Sequence, residues 1–123
     1  MIMAVSTVKK ENAIYTAAAN SNVAVSTSAW KTITTLVLQP GIYIVVGDIW
    51  FASNSTGIRV LYLDTTEGSS NDHNTSVLGT GRSDLSKTRV FSLTAQTTIY
   101  LRGWQTTGAD LNAKGKITAV KLA

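Results

Sequence analysis

The sequence predicts an all-β domain, a sandwich or jelly roll of about eight to ten antiparallel strands, on three observations. The composition is 44% hydrophobic but only 15% charged, with abundant Thr, Ser, Val and Ile, nine glycines and a single proline. That balance suits strands joined by polar turns, whereas helices draw on Glu, Lys and Arg. Apolar residues alternate with polar ones over short runs. Turn signals separate those runs at the regular spacing of a sandwich or jelly roll. At 123 residues the chain can bury one continuous core and is too short for two, so one domain carries the whole function.

Residues 1–29 are rich in Ala, Ser, Thr and Asn, with short apolar pieces at 13–15 and 23–25. They predict a lead-in with one or two short strands, ahead of a main body over 30–123. After Trp30, Leu36 and Leu38 alternate with Thr35 and Val37. Gln39-Pro40-Gly41 then ends the strand, because proline fixes φ and glycine permits the values a tight turn needs. Residues 42–52 form the next strand, with Ile42, Ile44, Val46, Asp48 and Trp50 on one face and Tyr43, Val45, Gly47, Ile49 and Phe51 on the other. Both faces are apolar, so this strand calls for cover on both sides, from a second sheet and from a loop or another subunit.

Ser53-Asn54-Ser55-Thr56-Gly57 is a turn by composition, and alternation over 58–63 predicts a hairpin partner. Residues 64–75 are polar and read as a long loop. Strands are expected at 76–82, 88–93 and 98–105, then a turn at Thr106-Thr107-Gly108, a short segment at 109–112, and a last strand at 116–122. No internal repeat divides the chain.

With no cysteine, neither disulfides nor thiolate chemistry is available, which leaves stability to packing or oligomerisation. The first residues lack the basic start and long apolar run of an export signal, and the longest apolar run is a strand's length, so neither secretion nor membrane insertion is expected. The formal net charge of +4 raises nucleic acid as a partner. Apart from Lys9-Lys10 and the looser set Lys114, Lys116 and Lys121, however, the basic residues stand singly along strands as solvated faces, so no nucleic-acid partner is expected.

The residues argue against an enzyme. The sole histidine, His73, lies in the polar stretch Ser69-Ser70-Asn71-Asp72-His73-Asn74, which reads as loop rather than as a catalytic base. His73, Asp72, Asp64 and Glu67 lack a metal-ligand spacing, so neither metal nor other cofactor is expected. Asp48, the one acid in an apolar strand, could serve a glycosidase only with a second carboxyl across a cleft. A buried, hydrogen-bonded or arginine-paired role at a subunit interface is the better reading. Gly79-Thr80-Gly81-Arg82 lacks the Lys-Ser or Lys-Thr ending and following helix of a phosphate loop.

Sugar recognition uses aromatic faces and planar polar groups, so residues of these types at strand ends are the candidate ligand contacts. They are Arg102, Trp104 and Gln105 beside the Thr106–Gly108 turn, Tyr62 with Asp64, and Arg82 with Asp84. Trp104 suits core or interface burial better than stacking, and Trp30 and Trp50 read as packing residues.

Two blocks carry a family likeness. The first is Gly41-Ile42-Tyr43-Ile44-Val45-Val46 with Gly57-Ile58-Arg59-Val60. The second runs from Thr98-Ile99-Tyr100-Leu101-Arg102-Gly103-Trp104-Gln105-Thr106-Thr107-Gly108 into Gly115-Lys116-Ile117-Thr118-Ala119-Val120-Lys121-Leu122. Their order resembles the jelly roll of the complement globular-head and tumour-necrosis-factor superfamily. In detail it is most similar to the phage and prophage version at the ends of tail fibres and other receptor-binding proteins, over about residues 30–122. The resemblance implies a homotrimer in a virion or prophage particle made in the bacterial cytoplasm, with strands near Tyr43 and Tyr100 at the threefold contact. It also implies loops that touch a host-surface saccharide, or another virion protein. The chain departs from a whole fibre in having no shaft, collagen-like repeat or coiled coil. The alternatives are a monomeric carbohydrate-binding β-sandwich module and a purely structural or decoration protein.

Overall fold

The computed structural model describes residues 13–68, 73–76 and 81–123. Eight strands follow in order: β1 (Ile14–Val25), β2 (Lys31–Leu38), β3 (Gly41–Asn54), β4 (Arg59–Asp64), β5 (His73–Ser76), β6 (Gly81–Leu93), β7 (Thr97–Gln105) and β8 (Leu111–Lys121). They form two four-stranded antiparallel sheets, ordered β1-β8-β3-β6 and β2-β7-β4-β5. The first strand lies beside the last, and most successive strands change sheet. That is the interleaved order of an eight-stranded jelly roll.

Strict alternation on β3 builds the core. Tyr43, Val45, Ile49 and Phe51 are buried against Leu61, Leu63, Ile99 and Leu101 of the opposite sheet, with Ile117 and Ala119 of β8 alongside. Gly115 on β8 faces the opposite sheet at close range. A Cβ there would sit 2.7 Å from Ile33 Cγ2 and 2.9 Å from Leu101 Cδ2, so only a hydrogen fits.

Several boundaries differ from the sequence expectation. The two short pieces expected before residue 30 are one strand, β1, whose pairing with β8 shifts between Ala19 and Val23. The bulge absorbs the polar Asn20-Ser21-Asn22 stretch that looks like a break. Residues 83–87, expected to be a connection, continue β6, with Ser83 and Leu85 turned inward and Asp84 and Ser86 outward. The alternation is present but carried by a serine. The expected loop over 64–75 ends in β5, and His73 is a strand residue whose backbone pairs with Tyr62. Of the expected strand at 76–82, residues 77–80 lie outside the described residues. The last strand starts at Leu111 rather than 116 because Leu111 and Ala113 face the core.

The expected hairpin between β3 and β4 is instead a crossing between sheets. Gly57 at φ +73° turns the chain, and a Cβ there would lie 2.5 Å from the Thr106 carbonyl. Arg59, fully buried, then fills the corner. Its guanidinium donates to the carbonyls of Asn54 (2.8 Å), Thr56 (2.5 Å) and Gly57 (3.0 Å). Burial pulls this guanidinium below its usual pKa, since desolvation disfavours the charged form.

Candidate functional site

The residues singled out for ligand contact fall in four places, and three of them are engaged in holding the fold. On the outer face of the β2-β7-β4-β5 sheet, Tyr62 and Arg102 stand side by side in register with Trp104 and Trp30. Trp30 lies edge-on to the Tyr62 ring at 5.8 Å and tilted against Trp104 at 6.2 Å. Residues 65–68 are tied down over this face. Tyr62 Oη donates to the Thr66 carbonyl at 2.6 Å, Arg102 donates to the Gly68 carbonyl at 2.6 Å and to Thr32 Oγ1 at 3.0 Å, and Thr32 Oγ1 donates to Glu67 Oε2 at 2.9 Å. Tyr62 is fully buried. Arg102 and Tyr62 therefore anchor a loop, and Trp104 belongs to the same aromatic cluster.

Gln105 is also fully buried. Its amide donates to the carbonyls of Val25 and Ala109, both at 2.7 Å, and accepts from the Thr107 N–H at 2.6 Å. It ties the β7–β8 turn to the end of β1. Asp64 pairs with Arg89 at 3.1 Å, and Arg89 also donates to the Leu63 carbonyl at 2.8 Å, joining β6 of one sheet to β4 of the other.

The predicted threefold residues lie on opposite sides of their sheets. Tyr43 points into the sandwich, 1% exposed, with its hydroxyl donating to the Gln39 carbonyl at 2.7 Å. Its ring is taken up by the core. Tyr100 stands half-buried on the outer face, in register with Thr35 and Asp64.

Arg82 and Asp84 make a loose ion pair, 3.7 Å apart and largely exposed. They lie on the outer face of the β1-β8-β3-β6 sheet, and this face is the open one. Strand alternation places Trp50 here, between cations from both neighbouring strands. The Arg82 guanidinium carbon is 4.9 Å, and Lys114 Nζ 5.8 Å, from the ring centroid. Beside the ring is a hollow of about 540 Å3 lined by Ala18, Asn20, Asp48, Asp84, Ser86 and Lys116 among others. Small residues on β1 leave the space, and Trp50 Nε1 has no acceptor among the described residues.

Asp48 is half-buried on this outer face, between Ser86 and Lys116 in register. It is not deeply buried and pairs with no arginine among the described residues, contrary to expectation, because its parity along β3 turns it away from the core. Trp50, read from the sequence as a packing residue, points the same way. The signal for both was the parity they share with Ile42, Ile44 and Val46.

Above the hollow the same face is apolar. Ile14 pairs with Val120, Val120 with Ile44, and Ile44 with Val90, giving an unbroken apolar row across all four strands. Ile14 is 66% and Val90 64% exposed, and Ile42 and Leu122 extend the patch at 40% and 44%. The second cover that residues 42–52 call for is not supplied by the described part of the chain.

No three His, Asp or Glu side chains converge into a metal site among the described residues. The class defined by this architecture is the eight-stranded jelly roll, with one outer sheet face left apolar. Within it, the chain resembles solved viral capsid proteins. It aligns over 98% of its length with the structure of the infectious bursal disease virus Gx strain at TM-score 0.58 and 11% identity. The Gt strain gives 0.58 and 13%, and the infectious bursal disease virus VP2 subviral particle 0.55 and 14%. In each case it spans 37% of the longer chain it matches. At such identities the likeness is one of fold. No protein family model and no curated protein matches the chain.

Proposed function

We propose that the chain is a non-catalytic structural subunit, a jelly-roll building block of a virion-type particle that assembles with further copies of itself. The observation that carries this reading is the apolar row Ile14–Val120–Ile44–Val90. Contiguous apolar surface of this kind on a small soluble domain marks a contact site. The fold shared with viral capsid proteins supports the setting. Light scattering on a sizing column tests it. A mass that is a stable multiple of 13.1 kDa is expected, and a monomer at every concentration refutes the reading.

A second reading, favoured by the Trp50 hollow, is a saccharide-binding module. An indole face flanked by carboxylates and a hydroxyl is the kind of surface that takes a pyranose, and host-glycan recognition would fall here. A monomer whose tryptophan fluorescence titrates with a bacterial surface polysaccharide, and loses that response in Trp50→Ala, supports it over the first.

A further inference from the structure

We propose that two copies pair face to face through the outer surface of the β1-β8-β3-β6 sheet, about a twofold axis that runs along the strands between β8 and β3. The inference rests on the self-assembly reading and specifies its partner, surface and symmetry.

The pairing follows from how residue types are distributed over that face. Its rows run straight across the strands. Ile14, Val120, Ile44 and Val90 form one row, Thr16, Thr118, Val46 and Thr88 the next, and Ala18, Lys116, Asp48 and Ser86 the third. Lys114, Trp50 and Asp84 lie in the fourth. Charges are sorted by strand. The outward residues of β8 carry only cations, Lys114 and Lys116. Those of β3 carry only an anion, Asp48, beside the Trp50 ring. From Ile14 to Ala18, β1 presents no charge, and on β6 Arg82 and Asp84 pair with each other. Neither Asp48 nor Lys116 forms an ion pair among the described residues.

Rotation about an axis parallel to the strands keeps each row at its own height and exchanges the sides of the sheet. It therefore sets β8 over the β3 of the second copy and β1 over its β6. Val120 then meets Ile44, Ile14 meets Val90, Lys116 meets Asp48, and Lys114 meets the Trp50 ring. Every contact occurs twice, as an isologous interface requires. Stacked sheets lie about 10 Å apart and cross at about 30°, a gap that apolar side chains fill and a lysine spans. A twofold axis across the strands could still lay the apolar row on itself. It would carry Lys116 away from the Asp48 of the second copy and leave each charge with only its in-register neighbour on its own chain. The charge complementarity selects the axis along the strands.

Charge reversal tests the pairing without touching the core. In K116E each interface would set a second carboxylate against Asp48, twice over, and in D48K it would set a second ammonium against Lys116, again twice. Each variant alone is expected to dimerise at least about tenfold more weakly than the parent chain. Mixing the two brings opposite charges together across the interface, so the equimolar mixture is expected to recover the parent affinity as a heterodimer. Intrachain neighbours cannot produce that rescue, since no chain in the mixture regains its own pair. V90K, at a position 64% exposed, is expected to give a folded monomer with the parent's strand content by circular dichroism, its unfolding midpoint lowered only by the loss of the dimer's concentration-dependent contribution. A mixture no tighter than its components, or a V90K chain that still dimerises, overturns the pairing. A mass three times 13.1 kDa also overturns it while leaving self-assembly standing. A monomeric parent chain removes both.

Discussion

Arg59→Met is the most demanding test of how this sandwich is held at its corner. Arg59 is among the largest fully buried side chains, and no carboxylate pairs with it among the described residues. Its partners are three main-chain carbonyls, those of Asn54, Thr56 and Gly57, while Nε has none among the described residues. Hydrogen bonds from a charged donor contribute about 1.5–3 kcal/mol each, so three set an upper bound near 5–9 kcal/mol. Against this, removing a charge from a low-dielectric site recovers several kcal/mol, and methionine refills most of the volume. Ser55 and Thr56 are exposed, so water can reach part of the turn and limit the loss. The balance is a destabilisation of about 2–4 kcal/mol, read as a lowered midpoint in urea with an unchanged slope.

Arg59→Lys should fall between the two, because one ammonium cannot span the Asn54 and Thr56 carbonyls together. Burial lowers the guanidinium's pKa, so the folded chain holds that proton less tightly than the unfolded chain. Stability attributable to this group therefore rises with pH, and only where the folded-state group begins to lose its proton in the alkaline range. An Arg59→Met chain as stable as the parent would refute the reasoning, by showing that the buried charge costs more than its three bonds return.

Two further substitutions probe the packing and the loop. Gly115→Ala places a methyl 2.7 Å from Ile33 Cγ2 and 3.0 Å from the Asp48 carbonyl. It should lower stability by about 1–3 kcal/mol through overpacking, measured by thermal or urea unfolding. Arg102→Met removes the bonds to Gly68 and Thr32 and should speed limited proteolysis at residues 65–68 with only a small change in global stability; an unchanged cleavage rate would show that the Tyr62–Thr66 and Thr32–Glu67 bonds hold the loop without it.

The two faces of β3 were legible in the sequence because a period of two needs no tertiary information. Tyr43 and Ile49 went inward and Ile44 and Trp50 outward as their parity requires. What could not be read was which strand lay beside which. Lys114 and Lys116 are remote in sequence from Asp48 and Trp50, and only the β3–β8 register brings them together. The same limit explains the binding candidates. Arg102 and Tyr62 have the residue types of a ligand site, but their partners Thr32, Thr66 and Gly68 lie on other segments. Arg59 was missed as a structural centre because an arginine at the start of a strand reads as solvated, although its parity with Leu61 and Leu63 turns it inward where the corner closes around it.

The free strands of this jelly roll indicate why assembly should use a face rather than an edge. β1 is broken by its bulge between Ala19 and Val23, and β2 by a register shift between Thr32 and Thr34, with Pro40 two residues beyond its end. β6 carries Arg82, Asp84, Lys87 and Arg89 along its length, and β5 is four residues long. Bulges, proline, charge and shortness are the devices by which sheet proteins discourage edge-to-edge pairing. The outer face of the β1-β8-β3-β6 sheet has none of them over its first two rows, where Ile14, Val120, Ile44, Val90 and Val46 lie uninterrupted by charge. A sequence that guards its edges and leaves one face apolar restricts self-association to contacts that can close on themselves. Such closure favours a defined assembly over an open-ended fibre.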